Sequence, residues 1–263
     1  AVLRAALDLD RQAVAELRQA LVGPGQTENQ GEVLLQKAIA EFEQAEREYP
    51  DINAARTDLL MRLVCLRVAG ARAIDYETLV MLAGHGTSFA YHPRKFFLMY
   101  QPPDPPPETE ARLVRGTGYA WANKKTRTAE EAWTVAKERL DAGVPLSASW
   151  FDSFLIAGYR DAAQPEARQL YVLGKWAPPT WLSWEELGKW VKEDGGLGWC
   201  PGTAPADDPK VMERLLLERT VLWADADGRG AVDWMKEGAY GLAGIEAYAT
   251  DVADAGKPAD AFD

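Results

Sequence analysis

The sequence predicts an α+β fold, with helices packed on a small, mainly antiparallel sheet. Three features of the 263-residue chain predict it: helical spacing of apolar residues through about residue 80, alternating apolar segments between residues 111 and 176, and helical spacing again after residue 183. The 47% of hydrophobic residues are enough for a packed core.

The N-terminal region is predicted to be helical. Residues 1–50 are expected to form a helical hairpin, because apolar residues at helical spacing stand on both sides of Gly23-Pro24-Gly25. A third helix is expected to begin at Asp51 or Asn53, whose side chains can cap it, and to end at Gly70.

A fourth, short helix is predicted over residues 76–82, with Asp75 as its N-cap and Gly84 as its end. Five prolines between residues 102 and 107 then predict a stiff, extended surface loop. This loop separates the helical region from the predicted strands.

The remaining segments complete the α+β pattern over residues 51–255, and residues 256–263 are expected to be an acidic tail. Strands are predicted over residues 111–121, 145–149, 153–159 and 169–176. Helices are predicted over residues 128–142, 183–192, 209–223 and 236–252. Gly143 is expected to end the first of these helices, and Ser183 with Glu186 forms a capping box at the start of the second.

Both histidines lie in one short segment, as His85 and His92. A Cys/His or Ser/His enzyme would have to take its general base from this segment. The glycines on either side of His85 permit a sharp turn that can present His85, Thr87 and Ser88 to a ligand. The alternative interpretation is a helix end followed by a strand, and no metal site is predicted because the neighbouring sequence supplies no further ligands.

Aromatic and polar residues near the second predicted strand could line a cleft beside this turn. The candidate ligand-binding residues are His85, Thr87, Ser88, Tyr91, Asn53, Trp150, Asp152 and Tyr159. The alternative is that the aromatic residues of this set belong to the core. An aromatic-walled groove built from the ten tryptophans is a further possibility.

The segment Asp225 to Lys236 resembles a calcium-binding loop, but Arg229 and Lys236 would face the ion. We therefore expect no metal ion and no cofactor. Cys65 and Cys200 are expected to be free and non-catalytic.

One ordered set of segments resembles the N-terminal domain of butirosin-biosynthesis protein H and its relatives, distant members of the papain-like cysteine peptidase fold. The resemblance covers about residues 50–252. It rests on residues 76–89 (Tyr-led short helix and Gly-rich turn), 140–146 (helix end and Gly-x-Pro), 158–161 (Gly-Tyr-x-Asp) and 241–249.

The resemblance implies a papain-like fold and, in active members, a nucleophilic cysteine at the start of the first core helix with a histidine on the strand before Gly-Tyr-x-Asp. Here that helix opens at Asp51 to Ala55 without a cysteine, and the strand carries Trp150 to Ser153 where the histidine is expected. The resemblance therefore implies a non-catalytic domain that binds a small molecule or peptide. Two alternatives stay open: a hydrolase or acyltransferase that uses His85 as its base, and a structural or protein-interaction module.

Charge restricts the partners. A net charge of −11 argues against nucleic acid and anionic membranes as partners. The most apolar stretch, residues 59–71, contains two arginines, so no transmembrane anchor is predicted. The chain starts without Met, which fits a trimmed cytoplasmic protein or an exported one without its signal peptide, and the oligomeric state is not predicted.

Overall fold

Helices cover a six-stranded antiparallel sheet in the computed structural model, which describes residues 30–50, 57–84, 90–92, 97–99, 106–149, 153–174, 179–224 and 239–255. The helices are α1 (Gln30–Glu48), α2 (Thr57–Val68), α3 (Tyr76–Ala83), α4 (Pro106–Thr117), α5 (Ala129–Asp141), α6 (Trp184–Glu193), α7 (Pro209–Ala224) and α8 (Gly241–Ala255). The strands are β1 (Ala90–His92), β2 (Phe97–Met99), β3 (Ala122–Lys125), β4 (Leu146–Ser149), β5 (Phe154–Arg160), β6 (Gln169–Gly174), β7 (Thr180–Ser183), β8 (Gly196–Trp199) and β9 (Ala239–Tyr240).

The strands form two sheets. The large sheet has the order β3-β8-β4-β5-β6-β7, and every neighbouring pair in it is antiparallel. The small sheet has the order β2-β1-β9, and α8 lies against β1. The α+β class predicted from the sequence is confirmed.

Helix α2 lies at the centre of the core. Eleven of its twelve residues are buried, and only Asp58 is exposed. It contacts α1, α3 and the strands β4, β5 and β8. A helix that is apolar on nearly all sides must be surrounded by other elements, and this arrangement supplies them.

Helix α1 closes the core beside α2 and β5. Its buried side chains, at helical spacing, are Leu34, Leu35, Ala38, Ile39, Phe42 and Ala45. The helix approaches the sheet closely at Gly158, where an added Cβ atom would lie 3.5 Å from the side chain of Leu35. This helix is the second half of the predicted hairpin, and the first half lies outside the described residues.

The predicted helix ends are confirmed where local capping chemistry defines them. Asp75 accepts a hydrogen bond from the Thr78 amide at 2.8 Å, and Gly84 ends α3 with a φ of 83°. Thr128 caps α5, and Gly143 follows it with a φ of 77°. The capping box at Ser183 begins α6.

The predicted strand at residues 111–121 is wrong, because most of this segment belongs to α4. Its inward positions, Thr109, Arg112, Leu113 and Gly116, follow helical spacing, and Arg112 and Leu113 are buried. Gly116 allows close packing on α3, since an added Cβ atom would lie 2.3 Å from the Leu82 side chain.

Helix α4 also shortens the predicted proline loop. It begins at Pro106, and proline is tolerated in the first turn of a helix because its missing N–H has no partner there anyway. The rest of the loop, residues 101–105, lies outside the described residues.

The last predicted helix begins later than expected. Helix α8 starts at Gly241, directly after β9, instead of at residue 236. The residues from 225 to 238, which include the calcium-like loop, lie outside the described residues, as does the tail after residue 255.

Candidate functional site

The start of the buried helix α2 meets the start of strand β5. Thr57 is the first residue of α2, and Ser153 directly precedes β5. The backbone N–H of Ser153 donates a hydrogen bond to Thr57 Oγ1 at 3.2 Å. Both residues are buried, with 1% and 5% of their surface exposed. We call this contact the helix–strand junction.

Three of the predicted ligand-binding residues lie close to the junction residues in the sequence. Asn53 precedes Thr57 by four residues, Asp152 directly precedes Ser153, and Trp150 directly follows the end of β4 at Ser149. The three residues themselves lie outside the described part of the chain.

The other part of the predicted cleft follows α3. Gly84 ends that helix in a left-handed conformation, and α3 packs on α2. His85, Thr87 and Ser88 come directly after it and lie outside the described residues. Tyr91 lies in β1 of the small sheet, where its backbone is in register with Leu98 and Ala239.

Tyr159 lies away from the junction and is held by neighbouring residues. It is six residues along β5 from Ser153, a distance of about 20 Å in an extended strand. Its hydroxyl is hydrogen-bonded to Lys137 Nζ at 2.7 Å and to Asp141. Its ring makes an edge contact with Trp133, with the ring centroids 5.6 Å apart.

These contacts keep the Tyr159 hydroxyl and the Lys137 amine protonated near neutral pH. Burial and the hydrogen bond to Asp141 raise the pKa of the Tyr159 hydroxyl. The hydrogen bond to Tyr159 raises the pKa of Lys137, so the amine stays charged. Tyr159 is therefore hydrogen-bonded to α5 at the far end of β5 from the helix–strand junction, and we leave it out of the site.

The two cysteines are free, as predicted, and both are buried. Cys65 lies eight residues after Thr57 in α2, about 12 Å along the helix axis. Its thiol points to the carbonyl oxygen of Pro145 at 3.6 Å, and burial raises its pKa. Burial also raises the pKa of Cys200. A thiol that stays protonated is a poor nucleophile.

Two of the described tryptophans, Trp190 and Trp181, pack against other side chains. Trp190 is almost fully buried and makes an edge contact with Phe154, with the ring centroids 5.7 Å apart. The guanidinium of Arg160 covers the ring of Trp181 at 3.9 Å. The hypothesis of an aromatic-walled groove stays a prediction, because Trp150, Trp176 and Trp234 lie outside the described residues.

A partly buried ion pair joins α2 to α4. The Arg62 guanidinium donates to both carboxylate oxygens of Glu110, each at 2.7 Å, and lies 4.4 Å from the centre of the Trp121 ring. Such a two-pronged contact orients both side chains. Because Arg62 lies five residues after Thr57, it also fixes the position of the junction.

The sequence did not indicate a cavity of about 360 Å³ between α3, α4 and α7. Apolar side chains form much of its wall, including Met81, Leu82, Met212 and Leu216, with Asp207 and Glu213 at its polar side. Gly116 of α4 forms part of its wall, and this residue lies in the segment that the sequence predicted to be a strand.

Among the described residues, no three His, Cys, Asp or Glu side chains lie close enough together to hold a metal ion. No helix in the part of the chain that the structure describes is long and apolar enough to cross a membrane. The chain matches no known protein family, no curated protein and no solved structure.

Proposed function

We propose that this protein is a non-catalytic papain-like domain that binds a small molecule or a peptide beside the helix–strand junction. The observation that carries the proposal is the hydrogen bond between Ser153 and Thr57. In a papain-like peptidase the start of the buried helix supplies the thiol and the facing strand supplies the imidazole. The same two kinds of element meet here on an antiparallel sheet, which supports the proposed fold.

The chemistry at the junction supports binding without catalysis. The Thr57 hydroxyl accepts a hydrogen bond from the backbone N–H of Ser153, and an alcohol becomes a good nucleophile only when a general base takes its proton. Cys65 is buried farther along the same helix and its pKa is raised, so it cannot replace a thiol at the helix start. Ser153 brings no imidazole.

The residues attached to the junction offer groups that recognise a peptide or a similarly polar molecule. Asn53 supplies an amide, Asp152 a carboxylate and Trp150 an apolar ring with one N–H donor. Ligand sites combine a largely apolar lining with a few polar groups of this kind. His85 would add a further polar group from the segment after α3.

A titration followed by NMR tests the proposal. A small set of capped dipeptides, N-acetylated and C-amidated, is added to the ¹⁵N-labelled protein. We expect saturable shifts of the Thr57 and Ser153 amide signals.

Asp152→Asn should weaken binding by about tenfold, since a charge-assisted hydrogen bond contributes roughly 1.5–3 kcal/mol. Asp161→Asn, at the opposite end of β5, is the matched control and should leave binding unchanged. Binding whose shifts spare both amides would contradict the proposal.

An esterase assay tests the absence of catalysis separately. With p-nitrophenyl acetate, we expect the same rate for the native protein and for His85→Ala. Saturable hydrolysis that His85→Ala abolishes would instead establish the hydrolase alternative.

A further inference from the structure

Helix α7 exposes three large apolar side chains to solvent. Val211, Leu217 and Val221 have 55%, 61% and 67% of their surface exposed. At 100° per residue these three positions fall within about 120° of the helix circumference. They therefore form one face, which extends about 15 Å along the helix.

A pair of opposite charges lies in the middle of the same face. Arg214 Nε and Glu218 Oε1 are 2.7 Å apart, and their side chains are 82% and 59% exposed. Together with Val211 and Val221, they occupy positions separated by three, four and three residues. This is the spacing of the contact positions in paired helices.

The face is complementary to itself when it is reversed. In an antiparallel pair of α7 helices with a two-fold axis at the level of Leu216, each residue lies opposite the residue equally far beyond Leu216. Val211 then lies opposite Val221 of the partner subunit, and Arg214 lies opposite Glu218 of the partner subunit. Leu217 lies next to Leu217 of the partner subunit, close to the axis.

We propose that this face of α7 is a two-fold interface between two copies of the chain. A two-fold contact requires that residue i meets residue j and residue j meets residue i, and the valines and the charges both satisfy this condition. A parallel pair would place Arg214 against Arg214 of the partner subunit, where like charges repel. Antiparallel pairing brings Arg214 and Glu218 of both subunits together so that opposite charges are neighbours. A contact between Val211 and Val221 lies on either side of this group.

The small face predicts a weak dimer. A standard stable interface buries about 800 Å² on each subunit, more than one side of three helical turns offers. We therefore expect a dissociation constant in the range of tens to hundreds of micromolar. In sedimentation equilibrium, the mass should rise with concentration from 29.0 kDa towards twice that value. A mass that stays at 29.0 kDa up to millimolar concentration would overturn the proposal.

Charge variants identify the interface. Arg214→Glu and Glu218→Arg should each weaken dimerisation at least fivefold, because each places like charges opposite one another. The double variant, with both charges exchanged, should restore it. Val221→Asp should abolish the dimer, whereas Val33→Asp, at an equally exposed valine of α1, should not. A dimer that none of the α7 variants changes would overturn the proposal.

Cysteine cross-linking tests the antiparallel direction. Val211→Cys and Val221→Cys are prepared as separate proteins and oxidised alone or mixed. Only the mixture should give an efficient disulfide-linked dimer, because position 211 meets position 221. The natural cysteines are buried and do not interfere. Efficient cross-linking of either variant with itself would show a parallel contact and refute the proposed geometry.

Discussion

Removal of the Glu110 carboxylate should destabilise the fold strongly, because it leaves a buried positive charge without its anion. Arg62 is only 7% exposed at its side chain, whereas Glu110 is 31% exposed. Both carboxylate oxygens accept hydrogen bonds from the guanidinium at 2.7 Å. The pair joins α2, which carries Thr57, to α4.

The size of the effect follows from the burial of the two partners. Breaking a fully buried ion pair costs about 3–5 kcal/mol of unfolding free energy. Water reaches nearly a third of Glu110, so we expect Glu110→Ala to cost about 2–3 kcal/mol. Replacing both partners by apolar residues, Arg62→Met with Glu110→Leu, removes the stranded charge and should come within about 1 kcal/mol of the native protein.

Urea unfolding at pH 7, analysed by linear extrapolation, measures these differences. Glu185→Gln is the control, because it removes a fully exposed partner of Lys189 and should change the unfolding free energy too little to measure. The reasoning is refuted if Glu110→Ala is as stable as the native protein. It is also refuted if the double apolar variant is less stable than Glu110→Ala.

The remaining predictions concern single positions. Gly195→Ala should lower the unfolding free energy by at least about 2 kcal/mol, because φ is +69° and an added Cβ atom would lie 2.6 Å from the backbone oxygen of Thr126. Gly188→Ala, in the middle of α6 where an added Cβ atom meets no neighbour, should raise the unfolding free energy by about 1 kcal/mol. Urea unfolding measures both differences. Native Cys65 should resist iodoacetamide at pH 7 by mass spectrometry, and rapid labelling would contradict its burial. Hydrogen bonds from Ser183 lower the pKa of Glu186. The ionised Glu186 carboxylate therefore stabilises the fold above the ordinary carboxyl pKa, and this contribution is lost as the pH falls through the lowered value. Melting curves of Glu186→Gln and the native protein should therefore converge in acid, and a constant difference would contradict this.

The sequence predicted the elements whose ends depend on local chemistry. Asp75 with Gly84 and Ser183 with Glu186 define their helices through contacts within three or four residues, so the pattern alone was sufficient. Strand β8 was missed because Gly-Leu-Gly-Trp has weak strand propensity. It is a strand because it pairs with β3 and β4, which are far away in the sequence.

The candidate site was predictable only in part. The pattern placed the start of strand β5 in the right segment, whereas the predicted start of the core helix, at Asp51 or Asn53, lies outside the described residues. It could not show that Thr57 touches Ser153, because the contact joins residues 96 positions apart. Tyr159 was selected because it lies near the end of a predicted strand. Its hydrogen-bond partners, Lys137 and Asp141, lie on α5, and the strand pattern alone does not show that α5 packs there.

Restoring a catalytic dyad tests most directly whether the helix–strand junction has papain-like geometry. Thr57→Cys is combined with Ser153→His or, as a second pair, with Asp152→His, and circular dichroism confirms that each variant folds. The thiolate absorbance near ~240 nm, which needs no reagent to reach the buried position, is then measured from about pH 5.5 to about pH 8.5. An imidazolium beside the thiol lowers its pKa. We predict that at least one pair forms the thiolate at a pH about one unit lower than Thr57→Cys alone does. Identical pH profiles for Thr57→Cys and both folded pairs would contradict the account.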